Sequence, residues 1–265
     1  MSQTPSVAGS DDLQADVASA GPETAASAPP RFRSDVTVEL VKHLASDADV
    51  LFAARVSTKG ESSLDDVNAD AGRSKGLLNY LMRDRHGTPF EHNSMTFFVS
   101  APIFVFREFM RHRIGFSYNE ESGRYRQLEP VFYVPGPDRM LVQEGKPGRY
   151  VFTPGTAEQH VLVERATKEA CTQAYSAYLA MLAVGVAREV ARGVLPVATY
   201  SSMYVTCNAR SLMALLSLRT KHEDSRFPSF PQREIEMVAE LMEAEWAKLM
   251  PLTHAAFDEH GRVSP

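Results

Sequence analysis

The feature that most constrains this chain is a charged stretch, residues 111–126, that follows the apolar run of residues 101–106. Its sixteen residues include four arginines, one histidine and two glutamates. A surface loop does not need that density of charge. Because guanidinium groups bind phosphate and carboxylate through paired hydrogen bonds, the stretch is suited to a phosphorylated, planar, polar ligand.

The same composition has a plainer interpretation. A run rich in arginine is typical of a solvated face or a nucleic-acid-binding patch, and composition alone favours that reading. The formal net charge of −5 argues against a general affinity for nucleic acid, although a basic cleft can lie within an acidic protein.

Composition predicts a globular protein with a sizeable core, in one large domain or two small ones. The chain has 265 residues, of which 44% are hydrophobic and 23% charged. Apolar runs stay well short of the roughly 20 residues that span a bilayer, so we expect no membrane segment. Cys171 and Cys207 provide neither a disulfide framework nor metal-ligand spacing, which favours a reducing cytoplasm and predicts no metal site.

Residues 1–34 are predicted to form a disordered tail rich in Ala, Ser and Pro, with ordered structure beginning near Asp35. The tail lacks the apolar region of a secretory signal. A single domain over residues 35–265 is expected to follow.

The pattern of apolar residues predicts an α+β fold, because helices and strands mix without regular alternation. Predicted strands cover residues 36–42, 95–100, 128–134 and 199–206. Predicted helices cover residues 51–56, 74–85, 102–113, 157–191 with a break near Gly185, 208–219 and 232–249. The segments 135–138 and 145–148 are expected to be loops.

The order of residues within the charged stretch resembles the defining motif of the flavin-dependent thymidylate synthases. That motif is Arg-His-Arg, seven or eight residues, then Ser. Here Arg111, His112 and Arg113 are followed by eight residues and then by Ser122, Gly123, Arg124 and Tyr125. The resemblance extends through segments 54–57, 86–92, 191–196 and 208–219, in the family's order.

This resemblance implies a fold and an activity. The implied fold is α+β, with mixed helices and an antiparallel-rich sheet in a single compact domain that assembles as a homotetramer with active sites shared between subunits. The implied reaction is the reductive methylation of dUMP to dTMP. It would use bound FAD, methylene-tetrahydrofolate as carbon donor and NADPH as reductant, without nucleic-acid or membrane partners.

The resemblance also implies site residues. Positions matching the family's flavin contacts are Ser57, His86, Thr88, Glu91, Arg111, His112, Arg113, Ile114, Asn119, Asn208 and Arg210. Positions matching its nucleotide contacts are Glu108, Glu120, Ser122, Gly123, Arg124, Arg192 and Arg219. Catalytic roles fall to Arg219, Arg111, His112 and Ser122. The chain departs from the family at Glu108, where many members have Gln, and at Ala214, where an Asn often contacts flavin; His222 is one possible match to a flavin-binding histidine.

Side-chain chemistry refines several of these assignments. Asn208 is expected to cap a helix. His86 and His92, judged without the resemblance, are better read as hydrogen-bonded structural histidines. Since no sequence spacing identifies a base for Ser122, a hydrogen-bonding serine is the better interpretation.

His112 lies between two arginines, which predicts a neutral imidazole. Phe109 and Met110 are expected in the core. The two cysteines do not lie in settings that would activate a thiolate, so a cysteine-dependent mechanism is not predicted.

Two other functions remain open from the sequence. A nucleotide- or nucleic-acid-binding protein could use residues 111–126 without catalysis. A flavoprotein of different activity, such as a nucleotide-dependent oxidase, is the other alternative.

Overall fold

A four-stranded antiparallel sheet positions most of the residues singled out above. Its strands are β2 (Thr37–Leu44), β3 (Ser94–Pro102), β8 (Tyr200–Cys207) and β4 (Phe116–Glu120), in that spatial order. The structure is a computed structural model that describes residues 28–60, 71–147 and 149–265. Within these ranges two small pairs accompany the sheet: β1 (Arg31–Arg33) runs parallel to β5 (Val131–Tyr133), and β6 (Val142–Lys146) forms a hairpin with β7 (Arg149–Thr153).

Helices surround the sheet and connect its strands. They are α1 (Asp47–Lys59), α2 (Ala71–Arg83), α3 (Ile103–Phe109), α4 (Ala157–Ala183), α5 (Arg188–Ala191), α6 (Ala209–Arg219), α7 (Arg233–Leu249) and α8 (Pro251–Glu259). Short 3₁₀ helices cover Thr88–Glu91 and Arg192–Val194. Among the described residues, no helix combines the length and apolarity needed to cross a membrane.

The main core lies on one face of the sheet. Met95, Phe97 and Val99 alternate along β3 and are fully buried, because successive strand side chains point to opposite faces. They belong to one hydrophobic cluster with Leu212 of α6 and Trp246 of α7. Burying each such side chain contributes about 1.5–3 kcal/mol, so this cluster holds α6 firmly against the sheet.

The core also fixes the start of the charged stretch. Pro102 occupies the N-cap position of α3, and the side chains of Phe106 and Phe109 within this helix are buried. The helix ends at Phe109, one residue before an exposed Met110 and the Arg111–His112–Arg113 triplet. The apolar segment therefore anchors the triplet at the edge of the core.

The predicted fold class and main elements are confirmed, including the break after α4 and the Asn208 cap of α6. Four expectations were wrong. The helix predicted over residues 102–113 ends at Phe109, so the Arg111–His112–Arg113 triplet follows α3 instead of forming its last turn. Gly145 and Lys146 lie in β6 rather than a loop, while Gly148 falls outside the described residues. Met110 is 39% exposed because α3 stops before it. Regular structure begins at β1, before Asp35, because β1 pairs with β5; residues 1–27 lie outside the described ranges.

Candidate active site

Arg219, His112 and Glu108 form one hydrogen-bonded unit between the ends of α3 and α6. The Arg219 Nε donates to His112 Nε2 at 3.0 Å. A second guanidinium nitrogen of Arg219 lies 2.6 Å from the Glu108 carboxylate. Arg219 is the last residue of α6, so the packing of that helix decides where its guanidinium lies.

His112 is neutral in this arrangement. Its Nε2 accepts a hydrogen bond, which requires a free lone pair and assigns the ring proton to Nδ1. Burial, together with the positive charges of Arg219 and Arg111, lowers the pKa of His112 from 6.5 to about 4, against an opposing effect of Glu108. The sequence prediction of a neutral His112 is confirmed.

Tyr118 holds the loop that carries His112. Its hydroxyl lies 2.9 Å from the carbonyl oxygen of Phe109 and 2.7 Å from that of His112. Its ring stacks on Phe116 along β4. Because these contacts join the end of α3 to β4, the backbone around His112 is fixed from two sides.

A second group of predicted residues meets at the N-terminus of α6. Asn208 caps the helix by accepting a hydrogen bond from the Ser211 amide at 2.9 Å. Gly115, with φ of 69°, approaches so closely that a Cβ there would lie 2.0 Å from the Ser211 Oγ. Gly115 therefore lies against this helix end, and the residue before it, Ile114, is 91% exposed.

Arg210 joins the same group to the segment before β3. Its guanidinium forms an ion pair with Glu91 and donates to the carbonyl oxygen of Pro265 at 2.7 Å. A Cβ on Gly87 would lie 2.4 Å from the Arg210 Cζ. The predicted flavin contacts Glu91, Asn208 and Arg210 therefore lie in one region of the chain.

Other predicted flavin contacts are more dispersed. Ser57 lies near the end of α1 and donates to the Ala54 carbonyl oxygen at 3.0 Å, and His86 stacks on Tyr80. Within the part of the chain that is described, Arg111 and Arg113 have no carboxylate at ion-pair distance and are exposed. The remaining positions are Thr88 in the 3₁₀ helix and Asn119 in β4, both exposed, Ala214 on the exposed side of α6, and His222 in the exposed loop after it.

A cavity of about 270 Å³ gathers part of the predicted nucleotide site. It lies beside the end of β4 and the start of α3. Its walls are Ile103, Glu120, Glu121, Gly123, Leu128, Glu189, Arg192, Gly193, Leu195 and Ser201. Glu120, Gly123 and Arg192 were predicted, whereas Ser201 and Glu189 were missed. The position of Ser201 in a predicted strand was the available signal, because a polar residue buried in a strand needs a hydrogen-bond partner.

Hydrogen bonds at this cavity hold its acidic and basic side chains in position. Buried Ser201 donates to Glu120 at 2.8 Å, and burial raises the pKa of Glu120 despite that bond. Arg124 Nε donates to Glu189 at 3.0 Å. Ser122 Oγ accepts a hydrogen bond from the Arg124 amide at 3.3 Å.

Arg219 does not line this cavity. Within the described chain, the predicted nucleotide contacts therefore divide into two groups: Arg219 with Glu108, and Glu120 with Gly123, Arg124 and Arg192.

Both cysteines are unsuited to nucleophilic attack. Cys171 and Cys207 are buried free thiols. Burial raises the pKa of each, that of Cys207 to about 12. Since the thiolate is the nucleophilic form, these groups would be almost wholly protonated near neutral pH.

A cluster of Glu243, His254 and Asp258 has donor atoms close enough together to suggest a metal site. However, one guanidinium nitrogen of Arg262 lies 2.7 Å from Glu243 and 2.6 Å from Asp258. A guanidinium therefore already pairs with both carboxylates of this cluster, which makes its role structural.

Comparisons with known proteins agree with the motif. The sequence model described as "Thymidylate synthase complementing protein" matches residues 39–252. The chain is 73% identical to a flavin-dependent thymidylate synthase of Streptomyces avermitilis, over 89% of this chain and 96% of that protein.

Solved structures agree as well. Two crystal structures of a UMP/dUMP methylase, PolB from Streptomyces cacaoi, superpose with TM-scores of 0.82 and 0.83. They are 55% and 57% identical, cover 90% and 89% of this chain and 100% of their own, and are bound with 5-Br UMP and 5-Br dUMP, respectively. These matches confirm the resemblance carried by residues 111–126, and the chain belongs to the flavin-dependent thymidylate synthase family.

Proposed function

We propose that this chain catalyses the reductive methylation of dUMP to dTMP, with bound FAD, methylene-tetrahydrofolate as carbon donor and NADPH as reductant. The observation that carries the proposal is the contact of Arg219 with a neutral His112, beside two exposed arginines. Binding of a pyrimidine ring requires a hydrogen-bond donor that points in a fixed direction, which Arg219 supplies. It also requires a neighbouring group without charge, which the His112 imidazole supplies.

Methylation at carbon 5 of uracil requires electron density at that carbon, which places negative charge on the uracil oxygens. Arg219 would stabilise that charge with guanidinium donors aimed by the end of α6. Glu108 and His112 hold the guanidinium in place, so a bound pyrimidine finds it already oriented. Bound flavin would supply the hydride that carbon 6 accepts, in place of a thiolate adduct.

The region around the triplet suits an anionic aromatic cofactor. Arg111 and Arg113 expose guanidinium groups that can bind a diphosphate, and the side chain of Ile114 offers an apolar surface to a ring. Asn208 and Arg210 would add contacts from the N-terminus of α6, where backbone amides favour negative charge. Ser57, His86, Thr88, Glu91, His112 and Asn119 complete the proposed FAD contacts.

The 270 Å³ cavity would hold the sugar phosphate of dUMP. Arg192 lines it, and no carboxylate of the described residues lies at ion-pair distance from its guanidinium. Arg124 lies at its margin, paired with Glu189. Glu120, Ser122 and Gly123 form the adjoining wall and turn, with Ser122 as a hydrogen-bonding group in catalysis.

The active enzyme is proposed to be a homotetramer with shared sites. Large apolar side chains are exposed on α4 and around α5, among them Val161, Leu162, Val190 and Val194. A subunit interface would remove such side chains from water. If the active sites are shared between subunits, Arg219 of one subunit would lie beside the cavity of another subunit. The free thiols fit a reducing compartment, and we assign the enzyme to the cytoplasm.

The test is anaerobic reduction of the purified protein by NADPH, with and without dUMP, followed at the flavin absorbance band. A second assay supplies methylene-tetrahydrofolate and measures dTMP, with UMP as a parallel substrate because the PolB neighbour is described as a UMP/dUMP methylase. A yellow protein that forms dTMP supports the proposal. A colourless protein that FAD cannot reconstitute would favour a binding protein, and a yellow protein that ignores dUMP would favour another flavoprotein activity.

Sedimentation tests the shared sites. FAD that binds between subunits stabilises only the assembled state, so the melting temperature should rise with free FAD. A monomer carrying a full complement of FAD would reject this part of the proposal.

A further inference from the structure

Ser201 is a buried hydroxyl at the wall of the cavity, and its backbone cannot move freely. It lies in β8, between β3 and β4 in the sheet, where it pairs with Ala101 of β3. Only 4% of the residue is exposed. Its Oγ donates to Glu120 Oε1 at 2.8 Å. The donor is therefore held by the sheet.

Glu120 is held less firmly than Ser201. It is the last residue of β4, a strand at the edge of the sheet, and its side chain is exposed toward the cavity. The same cavity contains Arg192, whose positive charge acts on Glu120. A carboxylate free to turn would form an ion pair with that guanidinium.

Other carboxylates near the cavity also compete with a ligand phosphate for the arginines. Glu121 and Glu189 also line it, and Glu189 already binds Arg124. A second internal ion pair would leave neither of these arginines free for a phosphate. A site for an anionic ligand depends on keeping Arg192 unpaired.

We propose that Ser201 is a positioning residue: its hydroxyl holds the Glu120 carboxylate against the sheet and away from Arg192, which leaves that guanidinium available to the substrate phosphate. This inference rests on the proposed function for the identity of the ligand. The position of the carboxylate itself can be tested without any ligand.

The kinetic test uses the assembled FAD enzyme and compares Ser201→Ala with Ser202→Ala. Ser202 is the next residue on β8 and faces the other side of the sheet, so it serves as the matched control. Loss of a hydrogen bond to a charged group predicts a KM for dUMP raised about tenfold in Ser201→Ala, with kcat changed less than about threefold. Ser201→Thr retains the hydroxyl and should restore KM, while Ser202→Ala should behave as the unmodified enzyme.

A double-mutant cycle identifies the route of the effect. Glu120→Gln removes the charge that would attract Arg192, so adding Ser201→Ala to it should change KM by less than about twofold. Equal effects of Ser201→Ala with Glu and with Gln at position 120 would overturn the proposal. So would a Ser201→Ala enzyme with unchanged KM.

Crystal structures of the ligand-free Ser201→Ala and Ser202→Ala variants separate this inference from the proposed function. We expect a Glu120 oxygen within about 4 Å of an Arg192 nitrogen in the first variant only. An unmoved Glu120 in Ser201→Ala would refute the positioning role, whatever the substrate. Failure of the unmodified protein to bind dUMP would instead refute the proposed function, and the two crystal structures would still decide the role of Ser201.

Discussion

Arg219 donates a 3.0 Å hydrogen bond to Nε2 of His112, although sequence matching assigns the two residues to different ligands, nucleotide and flavin. The bond requires a neutral imidazole with its proton on Nδ1. A change at either residue will therefore alter the other. Glu108 completes the unit from the opposite side of the guanidinium.

Arg219→Ala should weaken dUMP binding while retaining FAD. Losing a charge-assisted donor to an anionic ligand costs about 1.5–3 kcal/mol, which corresponds to roughly ten- to a hundredfold in affinity. Arg219→Lys should restore little, because an ammonium cannot reproduce a planar pair of donors. The measurements are dUMP titration and FAD occupancy, with His112→Ala in parallel. Equal loss of FAD in both alanine variants, with unchanged dUMP affinity in Arg219→Ala, would contradict these roles.

The pKa of His112 should rise in Arg219→Ala. Removing Arg219 removes a positive charge that lowers this pKa and leaves Glu108, which raises it. A histidine NMR titration would detect the movement from about 4 toward 6.5. An unchanged titration midpoint would show that burial alone sets the protonation of the ring.

His112 also predicts a dependence of stability on pH. Its pKa is about 4 in the folded chain against 6.5 as the ordinary value, so the unfolded chain binds more protons between these values. The stability contributed by the neutral ring is complete above 6.5 and is lost as pH falls through 4. Denaturant titrations at several pH values across this window should give unfolding free energies for the unmodified protein and His112→Gln that become more similar as the pH falls. A difference in unfolding free energy that stays constant with pH would disprove the lowered pKa of His112.

Sequence periodicity predicted the core elements because their burial is local and regular. Strand β3 and helix α6 were identified from alternating or helically spaced apolar residues, and Asn208 from its capping chemistry. The hairpin β6–β7 was missed because its glycines resemble loop signals and its strands bury little. Strand β4 was read only as part of the charged motif, since its strand character comes from pairing with β8.

The candidate site was predictable as a set of residues but not as a set of contacts. The motif supplied Arg111, His112 and Ser122 from their order alone. The bond between Arg219 and His112 joins residues 107 positions apart, and the bond between Ser201 and Glu120 joins residues 81 positions apart. Such pairings depend on how the sheet and α6 pack, which residue spacing does not specify.

Replacement of both cysteines by alanine should leave the methylation rate within about threefold of the unmodified enzyme. Burial keeps Cys171 and Cys207 protonated, with the pKa of Cys207 raised to about 12, so neither can supply a thiolate near neutral pH. The assay is dTMP formation well below the melting temperature, because the truncation at Cys207 will cost some stability. A folded double variant with at least a hundredfold lower rate would indicate covalent catalysis by a thiol.

Gly87→Ala should lower FAD affinity without unfolding the chain. The backbone at Gly87 has φ of −76°, which alanine adopts readily, but the new Cβ would lie 2.4 Å from the Arg210 Cζ. The guanidinium would have to move away from Glu91 and Pro265. Gly76→Ala is the matched control, since a Cβ there meets nothing within 4 Å, and in mid-helix it should stabilise by roughly 0.5–1 kcal/mol. FAD titration of both variants tests this prediction. Equal FAD affinities of Gly87→Ala and Gly76→Ala would show that Arg210 does not belong to the proposed site.

Arg262→Met should be the most destabilising of these changes. Arg262 is 3% exposed and binds Glu243 with two nitrogens, 2.7 and 2.8 Å from its oxygens, as well as Asp258 and Thr220. Removing one partner of such a buried pair costs about 3–5 kcal/mol. Arg233→Met is the control, because Arg233 also binds two glutamates but its side chain is 44% exposed, and its loss should cost less than about 1 kcal/mol.

The loss of unfolding free energy caused by Arg262→Met should also depend on pH. Hydrogen bonds from His254 and Arg262 outweigh burial and lower the pKa of Glu243 from 4.5 to about 2. The stability from this carboxylate is therefore complete above 4.5 and is lost as pH falls toward 2. The difference in unfolding free energy between the unmodified protein and Arg262→Met should shrink over that range, because a protonated Glu243 no longer needs a cation. Equal differences at neutral and acidic pH, measured by denaturant unfolding, would show that Arg262 stabilises the chain by packing rather than by charge.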